Sequence, residues 1–348
     1  MGSLLYICQN ALGDVITCLP SIYSLRRSWG CRIDVCVNAD LIEVFSADPN
    51  VERVISAPSS WFDTRTPDVD ISEVKLLPDF RDHYEVVIDS MSIPTTARLI
   101  ELLRPTSAAC IGFAESLHVC QHQVPLEIWR TWSDQRRTAS DCFADVVRAW
   151  RDDYVNTAPI LYVSHAARRW ADQWLHKVNP DALPLVAINP GAGSPLKCWP
   201  LERYLALGRL ISDLGYRPVF VFGPKEAVME AEAKSQISEL AALIYSSPDS
   251  RIQQVAALLQ RCSLCVSNDC AVMHISAAVG TRTLGIFGPT NSKIWFPYQQ
   301  PWNQVLERDI VCRSICIHGC QEQPCLKDIS IHDVFERALL MLPRGTNG

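Results

Sequence analysis

Short, almost wholly apolar runs recur along this chain, several followed by a stretch with helical spacing, and that alternation restricts the fold more than any other feature. The first half holds SLLYICQ, RIDVCVN, VERVISA, YEVVIDS and SAACIGF; the second holds LPLVAINP, RPVFVFG, LIYS, LCVSND and TLGIFGP. Strands without a polar face must be covered on both sides, which is the environment of parallel sheets flanked by helices. Helical patterns at 95–103, 139–150, 201–214, 227–237, 252–259 and 272–279 supply the crossovers that parallel pairing requires. The fold class read from this is α/β with doubly wound sheets.

The strand candidates outnumber what one such sheet usually holds, and 348 residues suffice for two domains with sizeable cores. The segment 154–184, where ARRWADQWLHKV runs into N-P-D-A-L-P, reads as the hinge. Domains are expected at 1–163 and 164–330, with a final helix in 331–348 that could return to the first domain. Ligands of open α/β sheets sit beyond the carboxyl ends of the strands, so a cleft between two facing domains is the default site. The stretches 59–80 and 115–138 read as long irregular loops.

A net charge of −6 leaves no broad basic surface for nucleic acid. No apolar run reaches the ~18 residues of a membrane span. The opening MGSLLYIC has no preceding Lys or Arg and is interrupted by Asp14, so it reads as a first strand and not as a signal peptide. Fifteen cysteines are many, but most stand singly in apolar contexts as small buried hydrophobes. A chain of this length is no disulfide scaffold, so a reducing, cytosolic compartment is expected.

Three strand-end motifs carry chemistry. In NALGDVITCLP, Gly13 suits a tight turn from strand to helix; Asp14 is then either the helix N-cap or a carboxylate placed as a general base. In NPGAGSPLKCWP, Gly191 and Gly193 follow a strand, but no Gly precedes Lys197 and Leu196 replaces a third Gly. The turn is therefore neither a phosphate loop nor a dinucleotide fingerprint. Lys197 is either a solvated surface residue or a group that neutralises a diphosphate. In SNDCAVMHISAAVGTRTLGIFGPT, a helix starts directly after Asn268 and Asp269, so the N–H groups of Cys270, Ala271 and Val272 could bind phosphate. Asp269 could hydrogen-bond sugar hydroxyls, and His274 is either a ligand contact or a half-buried helix residue.

Taken together and in order, L-G-D-V, K-x-W-P, N-D-x-x-x-M-H and G-x-F-G-P-T resemble glycosyltransferase family 9, the heptosyltransferases, over nearly the whole chain. The resemblance implies a GT-B fold: two Rossmann-like domains facing a central cleft, the first binding acceptor and the second nucleotide sugar. It implies inverting transfer of heptose from ADP-heptose to a glycan or glycolipid acceptor, most often the lipopolysaccharide inner core. Asp14 matches the family's catalytic base. Lys197 matches the donor phosphate contact, Asp269 the heptose contact and His274 its partner, while Glu226 in FGPKEAVME is similar to the ribose contact. Cys270 and Ala271 depart from the hydroxyl residue and Gly common in the family, so a hydroxyl contact to phosphate is lost and the backbone donors remain. Single-displacement chemistry needs one base and a neutralised leaving group; Lys197 and helix N–H groups could serve without a metal, so no catalytic cofactor is expected.

Other features fall outside these motifs. A D-x-D at Asp68 and Asp70 follows a Pro and reads as a solvated turn. Cys312, Cys316, Cys320 and Cys325, with His318 near them, lack the usual spacings of zinc and ferredoxin sites. They are either a structural zinc or iron clip, which some family members with a similar tail suggest, or reduced thiols or a local disulfide. An anionic acceptor makes Arg98, Arg130 and Arg136 candidates for its contacts, with Arg104 and Arg137 beside them, and Trp61, Trp129 and Trp132 candidates for stacking. Action at the inner face of the inner membrane, peripheral membrane contact and oligomerisation stay open. So do two alternatives: a protein O-heptosyltransferase whose Cys tail binds metal, and a nucleotide-dependent oxidoreductase of doubly wound fold.

Overall fold

The apolar runs become the strands of two parallel sheets of six strands each. The computed structural model describes residues 2–30, 32–62, 83–111, 120–124, 137–240, 242–247, 251–297, 300–310, 312, 320 and 322–343. The chain divides into two units, Met1–Tyr162 and Val163–Gly348.

The first unit contains β1 (Ser3–Ile7), α1 (Leu12–Trp29), β2 (Arg32–Asn38), β3 (Arg53–Ala57), β4 (Val86–Asp89), α2 (Pro94–Leu103), β5 (Ser107–Ile111), β6 (His122–Val124) and α3 (Ala139–Trp150). Its strand order is β3-β2-β1-β4-β5-β6, all parallel. The order reverses between β1 and β4, so their carboxyl ends mark the switch point at which such sheets bind ligands. Leu5 and Ile7 of β1, Cys36 of β2 and Val87 of β4 are buried with Leu99, Ile100 and Leu103 of α2.

The second unit contains α4 (His165–Val178), β7 (Leu185–Asn189), α5 (Leu201–Asp213), β8 (Arg217–Phe222), α6 (Ala227–Glu239), β9 (Leu243–Ser246), α7 (Ile252–Leu259), β10 (Cys262–Asn268), α8 (Ala271–Ala278), β11 (Thr283–Phe287), α9 (Ser292–Trp295), β12 (Gln304–Glu307), α10 (Pro324–Lys327) and α11 (Ile331–Met341). The order β12-β11-β10-β7-β8-β9 repeats the first topology, with its switch point between β7 and β10. The core is built on Trp199, Tyr204, Phe220 and Phe222. Helix α11 gives Val334, Ala338 and Met341 to this core and lies against α5. A capping box of Ser330 and Asp333 starts it.

Two strands escaped sequence reading. Strand β6 has three residues, and β12 has the half-buried pattern of an outermost strand, so neither carries a continuous apolar run. Among the described residues no helix is long and apolar enough to cross a membrane.

Phe220 is fully buried, and a Cβ on Gly208 of α5 would lie 3.0 Å from its ring. Truncation there leaves a cavity with closely packed walls. Phe220→Ala is expected to lower unfolding free energy by about 3–5 kcal/mol, read as a lower urea midpoint with an unchanged slope.

Candidate functional site

In the first unit, β1 ends at Ile7 and the chain reaches α1 through four residues, Cys8 to Ala11. This short turn is tied down on all sides. Ser90 Oγ donates to Ile7 O at 2.7 Å, Asn38 Nδ2 to Asn10 Oδ1 at 2.9 Å, and Asn10 Nδ2 to Phe62 O at 3.1 Å. Gln9 Nε2 donates to Ser90 O.

Ala11 is the N-cap of α1 and offers no side-chain cap. Asp14 is therefore not the cap that its position allowed; it is the third helical residue, half-buried in the first turn, where the helix dipole favours a negative charge. Gly13 is likewise not a tight-turn residue but lies inside that first turn, with no positive φ. Burial pushes the Cys18 thiol, one turn further on, up to about 12, with the Asp14 charge adding to the rise, so Cys18 stays protonated and is no nucleophile.

In the second unit the remaining motif residues meet at the ends of β7 and β10. Lys197 closes a short 3₁₀ turn, Pro195–Lys197, capped by Ser194. Its Nζ donates to Asp269 Oδ2 at 2.7 Å, and Thr290 Oγ1 donates to the same oxygen at 2.7 Å. Asp269 is 6% exposed. A carboxylate so withdrawn from water must be paired, and the Lys197 ammonium with the Thr290 hydroxyl supplies that pairing.

Behind Asp269, Asn268 joins the motifs. Its Oδ1 accepts from Trp199 N–H at 2.9 Å and Tyr204 O–H at 2.8 Å; its Nδ2 donates to Pro190 O at 2.8 Å and Gly191 O at 3.2 Å. The Gly turn after β7 is thereby fastened to the end of β10. Trp199 is a buried prop: its indole Nε1 donates to Ile329 O at 2.9 Å and its ring meets Tyr204 edge-on.

Glu226 is the N-cap residue of α6, and its Oε2 accepts from Gly223 N–H at 2.6 Å. A Cβ on Gly191 would lie 2.4 Å from Glu226 Cγ. Gly191 thus serves close approach, bringing the Glu226 side chain against the turn that leads to Lys197.

Helix α8 starts beside Asp269, with Cys270 as an extended N-cap residue lacking a side-chain cap. The Cys270 thiol donates to Asn189 Oδ1 at 2.9 Å and lies 3.3 Å from Ser267 Oγ. First-turn N–H groups of Ala271 and Val272 are the kind that bind anions. His274, on the next turn, is 6% exposed; burial pushes its pKa down to about 4, the Lys197 charge adding to the fall and Asp269 opposing it. The imidazole is neutral at pH 7, able to donate and accept beside the ion pair.

The other candidates divide. Arg98 is exposed on α2, and Arg104 closes that helix in the left-handed region at φ 51°. Arg137 is not available to an acceptor in the way its charge suggested: it forms a bidentate pair with Asp145 at 2.6 and 2.7 Å. Trp61 is a core side chain, not an exposed stacking surface. Asp68, Asp70, Trp129, Arg130, Trp132, Arg136, Cys316 and His318 lie outside the described residues. Cys320 is a free thiol, and Cys325 is packed in the second core. Among the described residues no three His, Cys, Asp or Glu side chains converge as a metal site.

Sequence reasoning passed over Asn268, Thr290 and Asn189 as functional supports. Each lies within a motif quoted for another residue, and nothing in local spacing distinguishes a polar side chain that will be buried.

The sequence profile of glycosyltransferase family 9 (heptosyltransferase) matches residues 80–325. Lipopolysaccharide heptosyltransferase 3 of Escherichia coli is 21% identical over 354 residues, covering 97% of this chain and 98% of that protein. The crystal structure of the glycosyl transferase family 9 protein from Veillonella parvula superposes with a TM-score of 0.81 at 21% identity, covering 98% and 97% of the two chains. The E. coli ADP-heptose lps heptosyltransferase II structure superposes with a TM-score of 0.78 at 19% identity, covering 98% of each.

Two outcomes are expected from this geometry. Asn268→Ala strands four partners and should cost about 3 kcal/mol or more, measured by urea unfolding. In the folded chain His274 stays neutral, whereas an unfolded His titrates near 6.5. Stability should therefore be highest above that pH, fall as pH drops, and level off below about 4. His274→Gln should remove this part of the acid-side slope in a pH series of unfolding free energies.

Proposed function

The chain belongs to glycosyltransferase family 9, the heptosyltransferases, and has two Rossmann-like sheets of the GT-B type; from that premise we propose that it transfers heptose from ADP-heptose, with inversion, to a hydroxyl of a lipopolysaccharide core glycan. The observation that carries the donor half is the Lys197–Asp269–Thr290 cluster, its carboxylate buried and its lysine half-buried, beside the start of α8. The relatives' names supply the class of donor and acceptor: one is an ADP-heptose lps heptosyltransferase and another a lipopolysaccharide heptosyltransferase.

In the proposed reaction the acceptor oxygen attacks the anomeric carbon as the bond from that carbon to the diphosphate oxygen breaks. The acceptor proton passes to the Asp14 carboxylate, and the electron pair leaves on ADP. Lys197 has ammonium protons beyond the one given to Asp269, and with the first-turn N–H groups of α8 it neutralises the departing diphosphate. Asp269 and neutral His274 take sugar hydroxyls, and Glu226 takes the ribose. Cys270 is turned to Asn189, so the phosphate contact falls to backbone donors. No step requires a metal or other cofactor.

Cys36, Cys110, Cys262 and Cys265 of the strands are buried free thiols, which suits a reducing compartment and a cytoplasmic site of action. Arg98, exposed on α2 in the first unit, remains a candidate for the anionic acceptor.

A donor screen by mass spectrometry, with ADP-heptose against UDP- and GDP-sugars and a core oligosaccharide as acceptor, tests the donor. Asp14→Asn should lower turnover by about 10²–10⁴-fold while leaving ADP affinity within about twofold. Full turnover in that variant removes the base assignment; transfer from a different nucleotide sugar removes the donor.

A further inference from the structure

We propose that Asp89, at the carboxyl end of β4, is a positioning residue: it fixes the start of α1, which carries Asp14, and the start of α2, which carries Arg98, to one another, so that an acceptor presents its hydroxyl to the Asp14 carboxylate. The assignment rests on the reading of Asp14 as the base; the hydrogen-bonded link itself does not.

Asp89 pairs with Ile7 in the register of β1 and β4, at the point where the strand order of the first sheet reverses and ligands of such sheets bind. It is fully buried. Asp34 and Asp269, also buried, each meet a cation, whereas among the described residues Asp89 meets none. Its Oδ1 accepts from Met91 N–H at 2.9 Å and Ser92 N–H at 3.1 Å, and its Oδ2 from the Thr96 hydroxyl at 2.7 Å. Burial pushes its pKa up, and those three donors oppose the rise. A carboxylate buried without a cation is costly. The turn it shapes adds strain, because Ser92 stands in the left-handed region at φ 53°. Both costs fall on the ligand-facing end of the sheet, and such costs gather at functional sites.

The link runs in two directions. Ser90, next in the chain, donates to Ile7 O through its N–H at 3.2 Å and its Oγ at 2.7 Å, and its carbonyl accepts from Gln9 Nε2. These bonds hold the passage that opens α1, of which Asp14 is the third residue. On the other side, Thr96 is the third residue of α2, and its Oγ1 accepts from Ile93 N–H at 3.1 Å at the start of that helix. Arg98 follows two residues later on the same helix. Asp89 thus joins the end of β4 to the start of α2, while its neighbour joins the same strand end to the start of α1. Displacement of a reacting group by about 1 Å can cost on the order of 10²-fold in rate, so the stiffness of this junction bears on turnover. An amide in place of the carboxylate keeps the Oδ1 acceptor but turns a donor toward Thr96, which weakens the join to α2 while preserving the shape of the turn.

The test is Asp89→Asn in the full chain, assayed for transfer from ADP-heptose to a core oligosaccharide, with kcat referred to the concentration of ADP-binding sites so that unfolded protein does not count. The expected result is a kcat lower by about tenfold or more and an acceptor KM higher by about threefold or more, with ADP affinity within about twofold. Amide hydrogen exchange over residues 8–18 should quicken by about fivefold or more, while exchange over 185–200 stays as it was. Ser90→Ala, which removes one hydroxyl bond from the same link, should lower kcat by a smaller factor, and it carries the test if Asp89→Asn does not fold. Unchanged kcat overturns the assignment. So does a fall in ADP affinity in step with kcat, the mark of a merely structural role. Asp14→Asn is assayed alongside. If it keeps full turnover while Asp89→Asn quickens exchange over 8–18, the fault lies with the base reading and not with the link. If Asp14→Asn is inactive while Asp89→Asn turns over as the unsubstituted chain does, the positioning role fails and the base reading stands.

Discussion

Asp269 is a carboxylate withdrawn from water, and much of the second unit's site follows from the need to pair it. An isolated buried charge is prohibitively costly, so Lys197 and Thr290 both reach one oxygen. Those two residues arrive from different places: a 3₁₀ turn after β7 and the loop after β11. Their convergence fixes three strand ends relative to one another. It also sets the charge balance around His274, which burial keeps neutral at ordinary pH.

A second layer of amides keeps that arrangement from relaxing. Asn268 and Asn189 are both buried, and each makes several hydrogen bonds instead of packing as an apolar residue would. Asn189 takes the Cys270 thiol, which turns the residue before α8 inward. The first unit solves a related problem with a tied turn. Ser90, Asn38 and Asn10 hold the passage from β1 to α1, so the carboxylate in the first helical turn is carried by backbone that has little freedom.

The two sheets share one strand order, yet their ligand-facing ends are furnished differently. At the β1–β4 switch point stands a half-buried acid on a helix start; at the β7–β10 switch point stand a cation, a buried acid and the start of a helix.

Local sequence was enough to decide the α/β class, ten of the twelve strands among the described residues, and the placing of Asp14, Lys197 and Asp269 after strand ends, because apolar runs and helical spacing are properties of neighbouring residues. It was not enough for β6 and β12, whose short or half-buried strands lack a continuous run, nor for the position of Asp14 within its helix, since Ala11 gives no capping signal. Partnerships were settled only by tertiary structure. Lys197 finds Asp269 across 72 residues, and Trp199 finds Ile329 across 130. Arg137 spends its charge on Asp145, Trp61 goes to a core, and the last helix gives its apolar face to the second unit. Each of these depends on which faces meet once the sheets are covered, and that meeting is set by long-range packing that no window of adjacent residues contains.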